Sequence, residues 1–285
     1  MKPFELLAEA HAPDGTLLTL HRHDGSYVLR VDGVELMSSR RTNSEIRLAQ
    51  LVCAPLQGRT GIRVLIGGLG LGFTLLETMR LLPPDAPGKV IAVGLNYKSH
   101  LGERPSAAYP GLFAKLPTSI IAHGEDIVLP PDANNAHYEG EMVIVIGRRA
   151  SRVSEGDAAS YIFGITAGND VSERDWQKND LQWFRAKAAD TFGPLGPVIV
   201  TGLPYDDLLL QTRLNGEVVQ SQRTKDLIFN VSEIVSYVSR YVTLMPGDVI
   251  YSGTPGTTKP IKPGDVVEVE VEGVGVLRNR VVRQK

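Results

Sequence analysis

The stretch His137-Tyr-Glu-Gly-Glu-Met-Val-Ile-Val-Ile-Gly147 constrains this chain more than any other. Met142 to Ile146 is a continuous apolar run of strand length, and such a run is stable only where both faces of a sheet are covered. The fold must therefore place a buried strand here. Yet Glu139 and Glu141 stand at its start, two residues apart, so both carboxylates leave the same strand face. Like charges held side by side are costly unless neutralised, and a hard divalent cation neutralises them best. Asp170, near the end of Ile165-Thr-Ala-Gly-Asn-Asp-Val171, is the third oxygen donor expected. An all-carboxylate set selects Mg2+ or Mn2+ rather than zinc, which draws on His or Cys. His137 alternates onto the face of both glutamates, and a pocket role is expected for it rather than ligation.

A base belongs beside such a site. His100 and Glu103, in Gly94-Leu-Asn-Tyr-Lys-Ser-His-Leu-Gly-Glu103, lie one helical turn apart. The carboxylate is expected to accept from one ring nitrogen and so fix the tautomer of a histidine that activates water. Gly102 to Pro110, with two prolines and small residues, has the composition of a lid.

With 30 basic and 32 acidic residues among 285, the net charge of −2 offers nucleic acid no attraction. The single Cys53 cannot form an internal disulfide, and its neighbours Leu51 and Val52 mark a buried thiol in a reducing compartment. The start Met1-Lys-Pro-Phe-Glu has no apolar signal core, and no apolar run reaches membrane-spanning length. A cytoplasmic protein without a membrane partner is expected.

The chain reads as a front segment, residues 1–88, and a larger part, 89–285, divided at Pro83-Pro84-Asp-Ala-Pro87-Gly88. In front, alternating runs separated by Asp14-Gly15, Asp24-Gly25 and Asp32-Gly33 describe a β meander. Ser44 to Leu56 follows as a helix with Ile46, Leu48, Ala49, Leu51 and Val52 on its apolar face. A strand (Arg63-Val-Leu-Ile66), the turn Gly67-Gly-Leu-Gly-Leu-Gly72 and a helix to about Leu82 complete the segment. Behind the break, Ile127 to Leu129, Met142 to Ile146 and Val198 to Val200 read as buried strands. Asn215-Gly216 marks a tight hairpin. Val231, Ile234, Val235, Val238 and Tyr241 sketch one amphipathic helix, and Val266 to Val271 with Gly275 to Val282 a terminal hairpin. The class is mixed, β-rich α+β.

From about Lys89 onward the chain resembles the fumarylacetoacetate hydrolase family. The matching runs are Val93-Gly-Leu-Asn-Tyr-Lys-Ser-His100 with Glu103, Leu112-Phe-Ala-Lys115, Tyr138-Glu-Gly-Glu141 and Gly168-Asn-Asp-Val-Ser-Glu-Arg-Asp175. Arg185-Ala-Lys187 with Asp190-Thr-Phe-Gly-Pro-Leu-Gly-Pro197, and Gly247-Asp-Val-Ile-Tyr-Ser-Gly-Thr-Pro255, complete the set. The chain departs from the family after Pro255, where Gly256-Thr-Thr-Lys259 replaces a Gly-Val type turn. Residues 1–88 are similar instead to the front of a spermidine-synthase-like fold, truncated before the acidic residue that would hold a ribose, so a packing or dimerisation module is expected there rather than a cofactor site.

The resemblance implies a β-sheet roll carrying a small N-terminal α/β appendage, assembled as a homodimer, with a small 2-oxo acid as substrate. It implies Glu139, Glu141 and Asp170 as metal ligands, and His100, Glu103 and Lys187 as catalytic residues. Arg174, Gln177 and Thr254 match substrate-facing positions, and Lys115 matches a position as readily structural as functional. The expected reaction is hydrolysis of a carbon–carbon bond in an acylpyruvate or related 2,4-diketo acid. Oxaloacetate-type decarboxylation and 2-hydroxymuconate-type isomerisation or tautomerisation use the same carboxylates, and a non-catalytic scaffold is the reading from another class. Clustered like charge further implies that Asp170→Asn leaves the metal-free protein no less stable.

Overall fold

Asp24 and Asp32 take positive φ (48° and 45°), and the glycines after them follow at 75° and 82°. Paired left-handed residues make the two-residue hairpin turn whose twist matches the strands it joins. These turns belong to the first of two units, Met1–Asp85 and Ala86–Lys285, of a computed structural model that describes residues 3–12, 14–40, 43–56 and 88–284. They join β2 (Leu17–His23) to β3 (Ser26–Val31) and β3 to β4 (Val34–Ser38), and with β1 (Glu5–His11) these strands form an antiparallel sheet in chain order. The meander thus runs further at both ends than the Asp-Gly pairs mark.

A helix, Asn43–Cys53, follows, with a 3-10 turn at Ala54–Leu56. Cys53 is buried, as its neighbours imply, but the buried stripe is Ala49 with Cys53, while Leu48 and Leu51 are exposed. The expected strand Arg63–Ile66, the Gly67–Gly72 turn, the helix to Leu82 and Pro83 to Pro87 of the break lie outside the described residues. No helix among the described residues is long and apolar enough to cross a membrane.

The second unit is rich in strands. Its early strands are β5 (Val90–Gly94), β6 (Gly111–Lys115), β7 (Ile120–Ile121), β8 (Asp126–Leu129), β9 (Ala136–His137) and β10 (Gly140–Ile146). β11 (Ile162–Asn169), β12 (Ser172–Glu173), β13 (Gly193–Val200), β14 (Leu209–Leu214) and β15 (Glu217–Arg223) follow. β16 (Val249–Tyr251), β17 (Val266–Val271) and β18 (Gly275–Arg283) end the chain. They curl into a seven-stranded sheet, β6-β5-β16-β10-β11-β13-β7, and a five-stranded sheet, β15-β14-β17-β18-β8, with β12-β9 as a separate pair.

β10 is buried along its whole length at the middle of the larger sheet. Met142, Ile144 and Ile146 pack in one cluster with Leu210, Val269 and Leu277 of the smaller sheet. Val143 and Val145 face the other way, with Val90, Val249 and Tyr251. This two-sided burial is what the apolar run required. Gly140 lets the two sheets approach: a Cβ there would lie 1.9 Å from Thr212 Oγ1.

The Asn215-Gly216 turn joins β14 to β15 with both residues at positive φ. The helix Val231–Tyr241 carries a capping box between Asn230 and Glu233, and buries Val231, Ile234, Val235 and Val238. Tyr241 is exposed rather than part of that face. Val198 and Ile199 are also exposed, a correction to the buried strand expected there. β13 pairs with only short β7 on its outer side, and the register with β7 covers Gly193 and Pro194, so Val198 and Ile199 run beyond it.

Candidate metal centre and active-site cleft

Glu139 precedes β10 and Glu141 is its second residue. Asp170 follows β11, where its N–H donates to the Glu139 carbonyl at 2.8 Å. Antiparallel pairing of Gly140 with Asn169 brings these chain ends together. The Asn169 side chain adds a clamp, its Oδ1 accepting from the Glu139 N–H at 2.9 Å. One ligand oxygen from each of Glu139, Glu141 and Asp170 lies within 4.8 Å of the others, and all three residues are buried.

Two lysines enter the cluster. Lys187, on the helix Phe184–Ala188, places Nζ 2.6 Å from Glu139 Oε2 and 2.7 Å from Asp170 Oδ2. Lys115, ending β6, donates to Asp170 Oδ1 at 2.7 Å and to the Lys187 carbonyl. Burial lowers the Lys115 ammonium pKa and the charge of Asp170 only partly restores it. For Lys187 burial acts the same way, but Asp170 and Glu139 together overcome it and raise the value.

The glutamates diverge. Burial pushes Glu139 up, yet Lys187, Arg174 and His100 outweigh it and hold the carboxyl well below the usual range. Glu141 is pushed well above that range by burial, then by Asp170 and Glu139. It accepts one backbone N–H, from Gly253 at 2.7 Å, and has no cationic partner among the described contacts. An excess carboxylate in a buried, all-oxygen donor set is the chemistry a hard divalent cation fits. The three residues would hold it.

The cluster floors a cleft of about 1210 Å³, lined also by His100, Glu103, Arg104, Arg174, Gln177 and Trp183. His100 sits on the short helix Lys98–Leu101, with Nδ1 2.5 Å from the Gly256 carbonyl and Nε2 3.8 Å from Glu139 Oε1. A carbonyl only accepts, so Nδ1 carries a ring proton, and Nε2, beside Glu139, is the nitrogen left to gain or lose one.

A family model described as the C-terminal domain of fumarylacetoacetate (FAA) hydrolase matches residues 89–282. The chain belongs to this family. A rat protein, oxaloacetate tautomerase Fahd2a, mitochondrial, is 38% identical over 242 residues, 79% of this chain and 77% of the rat one. The structure of 5-carboxymethyl-2-hydroxymuconate delta-isomerase from Mycobacterium smegmatis superposes with a TM-score of 0.68 at 38% identity, covering 98% of this chain and 99% of that one. Fumarylpyruvate hydrolase from Pseudomonas aeruginosa, solved with Mn2+ and pyruvate, gives 0.65 at 29% identity, covering 70% and 91%. The isomerase match spans the front segment too, and the resemblance of residues 1–88 to a spermidine-synthase fold has no support among these family structures.

Within this fumarylacetoacetate hydrolase fold, the residues singled out in the sequence fall into three groups. Glu139, Glu141, Asp170, Lys187 and His100 converge on the cleft floor. Arg174 joins them, donating from Nη2 to Glu139 Oε1 at 2.5 Å and from Nη1 to Gln177 Oε1 at 2.7 Å. Glu103 lines the cleft but does not orient His100. The helix ends at Leu101, and Gly102, at φ 60°, turns the chain before Glu103 can lie one turn above the ring. The Gly256 carbonyl holds the position expected for that carboxylate.

The Thr254 hydroxyl is committed to the scaffold, donating to the Gly140 carbonyl at 2.8 Å and accepting from Gln220 Nε2 at 2.9 Å. His137 pairs with Thr258 Oγ1 and Asn135 Oδ1, each at 2.9 Å, away from the ligand set. Burial, then Arg174, lower its pKa to about 4.

Sequence reasoning missed the backbone contributors, the Gly253 N–H and the Gly256 carbonyl, because main-chain groups have no residue signature. It also passed over Asn96, whose Nδ2 donates to the Phe229 and Ser252 carbonyls at 3.0 and 2.8 Å. An asparagine between a strand and a helix was the available signal.

Proposed function

We propose that this protein is a metal-dependent enzyme that enolises a small 2-oxo carboxylate, interconverting keto, enol or double-bond isomers. The observation that carries this reading is the orientation of His100, whose Nε2 faces the carboxylate cluster while Nδ1–H is tied to Gly256. Moving a proton within a substrate needs one such base and no second carboxylate. The names of the rat tautomerase and the mycobacterial isomerase support the same class.

When bound at Glu139, Glu141 and Asp170, Mg2+ or Mn2+ supplies Lewis acidity that makes the proton at C3 of a 2-oxo carboxylate easier to remove. Arg174 commits three of its five N–H groups to Glu139, Gln177 and Thr258, and its guanidinium charge at the cleft wall draws in a substrate carboxylate. His100 Nε2 takes the C3 proton, becomes imidazolium, and returns the proton to the oxygen or to another carbon of the conjugated chain. The Lys187 ammonium counters the negative charge that develops. Trp183, edge-on to Phe113 at 5.5 Å, walls the cleft.

A second reading is carbon–carbon bond hydrolysis of an acylpyruvate, favoured by Glu103 on the same cleft and by the name of the Pseudomonas neighbour. It requires the 102–110 segment to move Glu103 onto His100, where the pair would activate water. The expected homodimer belongs to either reading and is tested by sedimentation. To test the function, purified protein with Mn2+ is given oxaloacetate, a 2-hydroxymuconate-type dienol and acylpyruvates, and their ultraviolet absorbance is followed. Faster enol or dienol conversion than with Mn2+ alone, lost in His100→Ala, is expected. No acceleration of either sinks the enolising reading, and acylpyruvate cleavage to pyruvate in its place selects the hydrolase.

A further inference from the structure

The turn after Pro255, where the sequence leaves the family pattern, brings a hydroxyl to Arg174. The segment 258–261 runs beside β9: His137 bridges to Pro260, and the Ile261 N–H donates to the Ala136 carbonyl at 2.8 Å. Thr258 Oγ1 thereby comes within 2.9 Å of both His137 Nδ1 and Arg174 Nη2.

The direction of each hydrogen bond in this group follows from its neighbours. Asn135 Nδ2 donates to Asp175 Oδ1 at 2.9 Å, which turns Asn135 Oδ1 toward His137 Nε2, also at 2.9 Å. An amide oxygen only accepts, so Nε2 carries the ring proton and Nδ1 keeps a lone pair. The Thr258 hydroxyl must then donate to Nδ1, which leaves its oxygen to accept from Arg174. The same Nη2 donates to Glu139 Oε1 at 2.5 Å.

We propose that Thr258 is a positioning residue: its hydroxyl, aimed by His137 and Asn135, fixes the Arg174 guanidinium on Glu139 and so keeps its charge placed for the substrate carboxylate. The substrate half of this statement rests on the reading of Arg174 above; the positional half does not. Without the hydroxyl, Nη2 loses one of its two acceptors, and rotation of the guanidinium away from Glu139 costs less. Gln177 is no substitute, because its Oε1 already accepts from Nη1.

The test uses the full-length protein as wild type, Thr258→Val, which keeps the shape and removes the hydroxyl, and Thr258→Ser, which restores it. The first readout is the rate at which phenylglyoxal modifies Arg174 in metal-free protein, followed by mass spectrometry of the peptide carrying it. A rise of about tenfold in Thr258→Val, reversed in Thr258→Ser, is expected from the loss of one charge-assisted hydrogen bond. The second readout is calorimetric binding of oxalate to Mn2+-loaded protein, expected to weaken by about tenfold in Thr258→Val and recover in Thr258→Ser. Equal Arg174 reactivity in wild type and Thr258→Val overturns the proposal, whether or not Thr258→Val melts lower. Wild-type protein that binds no oxalate sinks the functional reading instead, and the phenylglyoxal rates still decide the role of Thr258.

Discussion

Lys115, its side chain wholly out of solvent, donates from Nζ to Oδ1 of Asp170 at 2.7 Å, on the opposite oxygen from Lys187. Asp170 is thus the acceptor for two buried ammonium groups as well as a member of the carboxylate cluster. Charge counting along the sequence sees three acids and predicts relief on neutralising one; the structure reverses that sign.

Asp170→Asn should therefore destabilise the metal-free protein. Removing one partner of a buried ion pair leaves an uncompensated charge and costs about 3–5 kcal/mol. Thermal melts in a chelator should show Asp170→Asn well below wild type, and Mn2+ should raise the wild type far more than the variant. An unchanged metal-free melt would mean that the lysines are satisfied elsewhere.

His100 and Glu103 should separate by function. His100→Ala should lower the rate of enol conversion by about 10²–10⁴, the usual worth of a positioned general base. Glu103→Gln should leave that rate within a few-fold, because the Gly256 carbonyl and not Glu103 sets the ring. Parallel losses in both variants would show the dyad forming during turnover, and would favour the hydrolytic reading.

Metal binding should release a proton. Unfolded glutamate titrates near 4.5, whereas burial, Asp170 and Glu139 keep Glu141 protonated to higher pH. Folding of the metal-free chain thus takes up a proton above pH 4.5, so this group makes it lose stability as pH rises toward the folded value. A cation must displace that proton, so Mn2+ affinity should increase with pH across the same window. Calorimetry in two buffers of different ionisation enthalpy measures the release; identical heats in both would sink the idea.

Gly140→Ala should lower stability, since its Cβ would meet Thr212 Oγ1 at 1.9 Å and Val269 Cγ1 at 3.3 Å. Overpacking of this kind costs about 1–3 kcal/mol. Adding Thr212→Ala should recover part of it in a urea denaturation series. Additive losses would place the strain away from this contact.

Much of the architecture was legible in the residues because the signals were local. Asp24-Gly25 and Asn215-Gly216 sit in tight hairpins because positive φ is inexpensive for those pairs. The run after Glu141 is buried because an apolar strand with no polar face has no alternative. The spacing of Val231, Ile234, Val235 and Val238 marked a helix face, and only Tyr241, the last residue of the helix, falls off it.

The sequence by itself determined which residue types could meet at the cleft: three hard oxygen donors, a histidine on a short helix and an arginine beyond β12. Tertiary structure alone decided how each is satisfied. Lys115 reaches Asp170 across 55 positions of chain, and the Gly256 carbonyl reaches His100 across 156. Contacts at such separations leave no periodicity to read. Whether Glu103 could orient His100 hung on one backbone angle, at Gly102, that ends the helix early. Charge, ligand hardness and strand pattern are properties of residues; the partner that fixes a tautomer or an ammonium is a property of the packed chain.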